Sequence, residues 1–109
     1  MDPQLISAVE FREACDGARP PFVLDVRETD GFALGRIPGS VNVPVHDLGR
    51  RRRDLPASTI ERILLVGDDR HRTLAGARFL DLMGFGDIAV LDGGIAAWDG
   101  ALERDEPAP

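Results

Sequence analysis

Short apolar runs separated by polar turns form the main pattern of this 109-residue chain. Each run has four or five residues, which is long enough for a buried strand and too short for a helix. Turn-forming or charged residues bound every run, as is typical of strands in a parallel sheet. The pattern predicts strands at Phe22 to Val26, Ser40 to Val43, Ile63 to Val66 and Ile88 to Leu91.

A capping box opens the first predicted helix. Ser7 stands at the N-cap position and Glu10 follows three residues later, which lets the two residues satisfy donors in the first turn. We therefore expect a helix from Ala8 to near Gly17, where a glycine suits the left-handed cap conformation.

A second helical pattern follows the strand at Ile63 to Val66. Apolar residues recur there with the i, i+4, i+7, i+8 spacing of one helix face, and Gly84 supplies a stop signal. The spacing predicts a buried face made of Ala75, Phe79, Leu82 and Met83.

Two shorter helices complete the pattern. Thr29 is expected to cap a brief helix that contains Phe32 and Leu34 and ends at Gly35. After the turn Asp92-Gly93-Gly94, the segment Ile95 to Trp98 is expected to begin a final short helix.

Strands that alternate with helices predict an α/β fold with a mainly parallel sheet and right-handed connections. The length fits a single domain at residues 1–102. The charged, proline-containing tail at residues 103–109 is expected to fray.

Charge narrows the classes of partner. Thirteen arginines and no lysine stand against nineteen Asp and Glu residues, which gives a formal net charge of −6. Such a chain repels phosphate backbones and anionic lipids, so we expect neither nucleic acid nor a membrane as partner. Met1 to Leu5 lacks a signal segment, and the expected location is the cytoplasm.

Arg50 to Arg53 form a local exception to this acidic composition. The simplest interpretation is a solvated linker or the end of a short helix that begins near Val45. The alternative is a docking patch for an acidic partner protein, which the sequence does not identify.

The counts of reactive residue types limit the chemistry further. The one cysteine, Cys15, excludes an internal disulfide and a multi-cysteine metal cage, and the absence of lysine excludes Schiff-base chemistry. We expect no metal and no cofactor. Gly84 to Ala89 has the glycine spacing of a dinucleotide site, but it follows a helix and enters a strand, the reverse of that motif.

The candidate site is the polar segment after the strand at Ile63 to Val66, because ligands of α/β sheets lie at the carboxyl ends of strands. Six residues between this strand and the next helix are expected to curl into a nest of backbone N–H groups that binds an anion. These residues are Gly67, Asp68, Asp69, Arg70, His71 and Arg72, followed by Thr73.

Five segments, in order and at matching spacing, resemble the rhodanese homology domain family over about Ser7 to Trp98. The resemblance implies a three-layer α/β/α domain with a parallel five-stranded sheet. It also implies a sulfurtransferase site, in which a cysteine that opens the loop carries a persulfide. The matching segments are Leu24 to Glu28, Gly35 to Pro44, Ile63 to Met83, Gly84-Phe85 and Val90 to Trp98.

The loop departs from the family pattern at its first position. Arg72 and Thr73 match the end of the family loop, but Gly67 stands where the family has its cysteine. Glycine cannot attack or hold a sulfur atom. Asp68 and Asp69 add negative charge that opposes a persulfide anion.

Other candidate residues have structural interpretations. Cys15 is expected to be a small buried hydrophobic residue of the first helix, with a reactive role as the alternative. Asp25 and Arg27 match a family segment and are expected to pair structurally at the strand end. His71 and His46 are expected to be solvated side chains rather than metal ligands.

Three functional hypotheses follow. The favoured one is a catalytically inactive rhodanese-like module that binds a protein or small ligand. The second is a sulfurtransferase or sulfur carrier that uses Cys15 or a partner's cysteine. The third is a non-covalent oxyanion site made by Arg70, His71 and Arg72 above Gly67.

Overall fold

Five parallel strands form the centre of the fold in the computed structural model, which describes residues 3–106. Their order across the sheet is β1-β5-β4-β2-β3, and every neighbouring pair is parallel. The strands are β1 (Gln4–Ile6), β2 (Phe22–Asp25), β3 (Val41–Asn42), β4 (Ile63–Val66) and β5 (Ile88–Leu91).

Helices cover both faces of this sheet. The α-helices are α1 (Ala8–Asp16), α2 (Thr29–Leu34) and α3 (Arg70–Leu82). Three short 3₁₀ helices occupy Val45–Asp47, Arg52–Asp54 and Gly94–Ala97. Within residues 3–106, no helix has both the length and the apolar character needed to cross a bilayer.

Alternation along the strands produces two separate cores. Leu65 of β4 packs in a cluster with Ala77 and Leu80 of α3, whereas the next residue, Val66, packs in a cluster with Phe11 of α1. All four residues of β4 are fully buried, as expected for a central strand covered on both faces. The predicted α/β class and the three-layer arrangement are therefore confirmed.

β1 is the strand that the hydrophobic pattern missed. Only Ile6 of its three residues is buried, so no apolar run marks it in the sequence. It pairs in parallel with β5 at the sheet edge, where one buried side chain is sufficient.

α1 begins as predicted. The Ser7 hydroxyl accepts a hydrogen bond from the Glu10 amide (3.1 Å) and donates one to the Glu10 carboxylate (3.2 Å). The helix ends at Gly17, but this glycine is extended (φ −71°, ψ 168°) rather than left-handed, so the predicted cap conformation is wrong.

α2 differs from the prediction at its start. Glu28, not Thr29, is the N-cap residue, and no side chain caps the helix there. The other end of this short helix is held instead by the guanidinium of Arg27, which donates to the carbonyl oxygens of Gly31 and Gly35.

The predicted buried face of α3 is wrong by a rotation of the helix. Its buried residues are Thr73, Gly76, Ala77 and Leu80. Leu82 is 84% exposed, because the helix packs through small residues rather than through its largest apolar ones. A β-carbon on Gly76 would stand 3.6 Å from side-chain atoms of both Val45 and Leu48, an ordinary van der Waals distance, so this face of α3 packs closely on the segment after β3.

The expected fraying of the tail is wrong for its first residues. Glu103 and Arg36 exchange two backbone hydrogen bonds (2.8 and 2.9 Å), and the Asp105 amide donates to the carbonyl of Ala33. Arg36 also forms an ion pair with Asp105 at 2.8 Å. Residues 107–109 of the predicted tail lie outside the described part of the chain.

Candidate functional site at the carboxyl edge of the sheet

The loop after β4 is shorter than predicted. Helix α3 begins at Arg70, so only Gly67, Asp68 and Asp69 lie between the strand and the helix. The expected six-residue nest is therefore wrong, because three of its members belong to the first turn of α3.

Asp69 explains this early helix start. Its carboxylate accepts a hydrogen bond from the Arg72 backbone amide at 3.0 Å and caps the helix. That hydrogen bond, aided by the nearby charge of Arg72, lowers the pKa of Asp69 below its ordinary value. The N-terminus of α3 therefore already carries an anion supplied by the chain itself.

Thr73 occupies the space in front of Gly67. Its hydroxyl donates to the carbonyl oxygen of Asp69 (2.7 Å), which holds the side chain over the start of the loop. A β-carbon built on Gly67 would overlap this hydroxyl oxygen and would stand 3.2 Å from the Thr73 β-carbon. No side chain can stand at position 67 unless Thr73 moves.

Gly94 packs closely against the same loop from the β5 side. It begins the 3₁₀ helix Gly94–Ala97 with φ +64°, one residue before the start predicted for this helix. The Gly67 carbonyl accepts a hydrogen bond from the Ile95 amide (2.8 Å), and a β-carbon on Gly94 would stand 2.5 Å from that carbonyl oxygen. Sequence reasoning treated Gly94 only as part of a turn, although the paired glycines were a signal for close backbone approach.

Two cavities open on either side of Gly67 and share Gly67, Asp68 and Thr73 as a common wall. The first, of about 240 Å³, lies on the β5 side and has Asp68, Asp69 and Asp92 in its wall. Arg70 also lines this cavity, so three acidic residues stand against one basic residue, a balance that disfavours an anionic ligand.

The second cavity, of about 350 Å³, lies on the β2 side. Its apolar wall includes Val26 and Val45, and its polar groups include Arg72, Glu28 and His46. The His46 imidazole is 3.6 Å from the Glu28 carboxylate.

The three basic residues proposed for an oxyanion site are not brought together. Arg70 lines the first cavity and Arg72 lines the second, while His71 lines neither. The helical start at Arg70 causes this separation, because successive residues of a helix point in different directions.

Asp25 and Arg27 form a buried ion pair beside the second cavity. Asp25 is completely buried and Arg27 is 7% exposed. The guanidinium donates to both carboxylate oxygens, with Nη2 at 2.8 Å from Oδ2 and Nε at 3.0 Å from Oδ1. Together with the bonds to Gly31 and Gly35, this pair fixes α2 against the end of β2.

Cys15 lies away from the loop. It is half-buried in α1 and packs in the cluster on the opposite face of the sheet from α3. Burial, and then the charge of Asp16, raise the pKa of the Cys15 thiol. Across residues 3–106, no group of three or more His, Cys, Asp or Glu side chains is arranged to hold a metal ion.

Comparison with known proteins assigns the family. The sequence profile of the rhodanese-like domain matches residues 7–101. The "Putative sulfur carrier protein YrkF" of Bacillus subtilis is 26% identical, over 90% of this chain and 52% of that protein. The "Putative thiosulfate sulfurtransferase SseB" of Mycobacterium tuberculosis is 30% identical, over 96% of this chain and 48% of that protein.

The chain thus spans about half the length of these two curated relatives. Among solved structures, the Alr3790 protein from Anabaena sp. superimposes with a TM-score of 0.82 at 27% identity, over 91% of this chain and 81% of that chain. The profile match covers most of the chain and the structural superposition agrees with it, so this chain belongs to the rhodanese-like domain family.

Proposed function

We propose that this chain is a rhodanese-like domain without sulfurtransferase activity, which acts by binding a protein or a small ligand. The observation that carries this proposal is Gly67, which stands where the family resemblance expects the persulfide cysteine. Glycine offers no atom to accept a sulfur. Thr73 fills the adjacent space, so the loop is packed for glycine rather than left open for a thiol.

Electrostatics support the same proposal. Thiosulfate and persulfides are anions, and the cavity on the β5 side presents Asp68, Asp69 and Asp92 to any ligand that approaches Gly67. The lowered pKa of Asp69 keeps that carboxylate charged at neutral pH. A sulfur-transfer site favours an excess of positive charge, whereas in this cavity the three aspartates outnumber the one arginine, Arg70.

Sulfur transfer is the second candidate function, because two relatives carry the names sulfur carrier protein and thiosulfate sulfurtransferase. In this chain it would need Cys15 or a thiol supplied by a partner protein. The raised pKa of Cys15 and its position on the opposite face of the sheet from α3 weigh against the first route.

Thiosulfate:cyanide sulfurtransfer by the wild type and by Cys15→Ala tests the proposal. We expect the rate of the wild type to equal that of the buffer, with or without a small thiol as acceptor. Turnover that Cys15→Ala abolishes would instead establish Cys15 as the sulfur carrier. Turnover that survives in Cys15→Ala would also overturn the proposal, since another group would then carry the sulfur.

The oxyanion hypothesis has a separate test. Thermal unfolding with phosphate, sulfate or thiosulfate reports on any ligand that binds the folded state. We expect no concentration-dependent rise of the midpoint, because Asp69 already caps α3. A rise that Arg72→Ala removes would show that the second cavity binds oxyanions.

A further inference from the structure

The arginine run lies along the C-terminal half of α3. A β-carbon on Gly49 would stand 3.3 Å from the ring of Phe79, and the Arg52 guanidinium stacks over the ring of Phe85 at 4.9 Å. These distances place Gly49 beside Phe79 of α3 and Arg52 beside Phe85, three residues beyond the end of the helix. The predicted short helix near Val45 is a single 3₁₀ turn, Val45–Asp47, with a second at Arg52–Asp54.

Three of the four arginines have partners within the domain. Arg52 donates to the Pro56 carbonyl (2.6 Å) in addition to its contact with Phe85. Arg51 pairs with Asp54 at 2.8 Å. Their neighbours face solvent: Arg53 is exposed, and Arg50 remains 77% exposed although it bonds to Asp47.

The neighbouring face of α3 is basic and apolar. Phe79 is 41% exposed and Leu82 is 84% exposed, although both are large apolar side chains. Arg78 is exposed and lies four residues before Leu82, so the two share one side of the helix. We call this combined area the α3 basic surface; it consists of Arg50, Arg53, Arg78, Phe79 and Leu82.

We propose that the α3 basic surface binds an acidic amphipathic segment of a partner protein. Charge complementarity identifies the partner: the five arginines at positions 50–53 and 78 outnumber the three aspartates Asp47, Asp54 and Asp81, on a chain whose net charge is −6. That same net charge disfavours a long polyanion such as nucleic acid. The exposed side chains of Phe79 and Leu82 can pack against apolar side chains of the partner. A helix with one acidic stripe and one apolar stripe provides both kinds of contact.

This inference rests on the proposed binding role and gives that role a surface and a partner class. The surface is separate from the loop at Gly67. α3 rises about 1.5 Å per residue, so Leu82 lies roughly 18 Å along the helix from Arg70. The two proposals can therefore fail independently, because sulfurtransfer assays report on the loop and peptide binding reports on this surface.

Fluorescence anisotropy with a labelled synthetic peptide tests the inference. The probe has about 16 residues, long enough for a helix, with glutamate and leucine on adjacent stripes. We expect salt-sensitive binding that Arg50→Glu/Arg53→Glu weakens by about tenfold or more. Leu82→Ser should weaken it by about threefold or more, since this side chain supplies apolar contact.

A matched control keeps the change of net charge constant. Arg19→Glu/Arg104→Glu replaces two exposed arginines elsewhere on the chain and should leave peptide affinity unchanged. Thermal unfolding of every variant separates lost binding from lost folding. For the wild type, NMR shift perturbations on adding peptide should concentrate at Gly49, Phe79 and Leu82.

Several outcomes would overturn the proposal. These are absence of peptide binding, equal losses in the control variant, and equal affinity for a peptide with glutamine in place of glutamate. Equal affinity for polyglutamate or an oligonucleotide would show nonspecific attraction of polyanions. A dimer in sedimentation that Leu82→Ser dissolves would show that a second copy of this chain covers the surface.

Discussion

The side chain of Thr73 stands in the space that a side chain on Gly67 would need. The hydroxyl is held there by its hydrogen bond to the Asp69 carbonyl, and Asp69 in turn caps α3 through the Arg72 amide. Asp69, Arg72 and Thr73 are thus connected by hydrogen bonds at the start of the helix. A cysteine at position 67 would have to displace part of this hydrogen-bonded group before it could react.

Gly67→Cys should therefore destabilise the fold even though glycine is replaced by a small residue. We expect a loss of about 1–3 kcal/mol from overpacking against Thr73. In Gly67→Cys/Thr73→Ala the loss should be smaller than the sum of the two single losses, because alanine removes the hydroxyl. Urea unfolding of the double-mutant cycle measures this coupling, and additive losses would show that Thr73 does not obstruct position 67.

Removal of Arg27 from its buried ion pair should lower the free energy of unfolding far more than removal of one member of an exposed ion pair. Arg27→Met leaves the carboxylate of Asp25 buried without its counter-ion, and we expect a loss of about 3–5 kcal/mol. Asp105→Asn breaks the exposed ion pair with Arg36 and should cost less than about 1 kcal/mol. Urea unfolding compares the two variants, and similar small losses would contradict the structural role given to the buried pair.

Asp69 should make the stability of the fold depend on pH in the acidic range. Its pKa is lowered in the folded state, so its charged form stabilises the fold above the ordinary aspartate pKa, and this contribution is lost as pH falls through the folded-state pKa. Asp69→Asn keeps a neutral capping group. The Tm difference between wild type and Asp69→Asn should stay constant above about pH 5 and shrink as pH falls below it through the folded-state pKa of Asp69. A constant difference would show that the cap does not depend on charge.

Cys15 should react slowly with alkylating reagents. Burial raises the pKa of its thiol, and the charge of Asp16 raises it further, so less thiolate is present at neutral pH than for a free cysteine. Iodoacetamide alkylation should be slower than that of glutathione at the same pH. Asp16→Asn removes the smaller cause and should increase the rate. Alkylation faster than that of glutathione would reopen a reactive role for Cys15.

The local sequence pattern was sufficient to predict an element where its buried positions are occupied by apolar side chains in an unbroken run. The strands at Ile63–Val66 and Ile88–Leu91 have the predicted bounds, because four consecutive apolar residues, buried except for the half-buried Ile88, leave an unambiguous run. α3 shows the opposite case. Its packing face is made of small residues such as Gly76, whereas its large residue Leu82 faces solvent, so hydrophobicity alone selects the wrong side.

The site needed three-dimensional information in a similar way. The family resemblance predicts Gly67 as the departure from the family loop, but the sequence does not show that Thr73 fills the neighbouring space. Asp69 was interpreted as charge that opposes a persulfide, and its capping bond to the Arg72 amide shortens the loop. Both effects depend on how the chain winds after β4, which residue type alone does not determine.

The hydrogen bond from the Ile95 amide to the Gly67 carbonyl has a consequence for hydrogen exchange. Ile95 belongs to a short 3₁₀ helix near the surface, where amides usually exchange quickly with solvent. Its acceptor, however, is the buried residue that follows the fully buried strand β4. The Ile95 amide should therefore exchange more slowly than an amide that donates to solvent, and its exchange rate reports on how firmly the 3₁₀ turn is held to the end of β4.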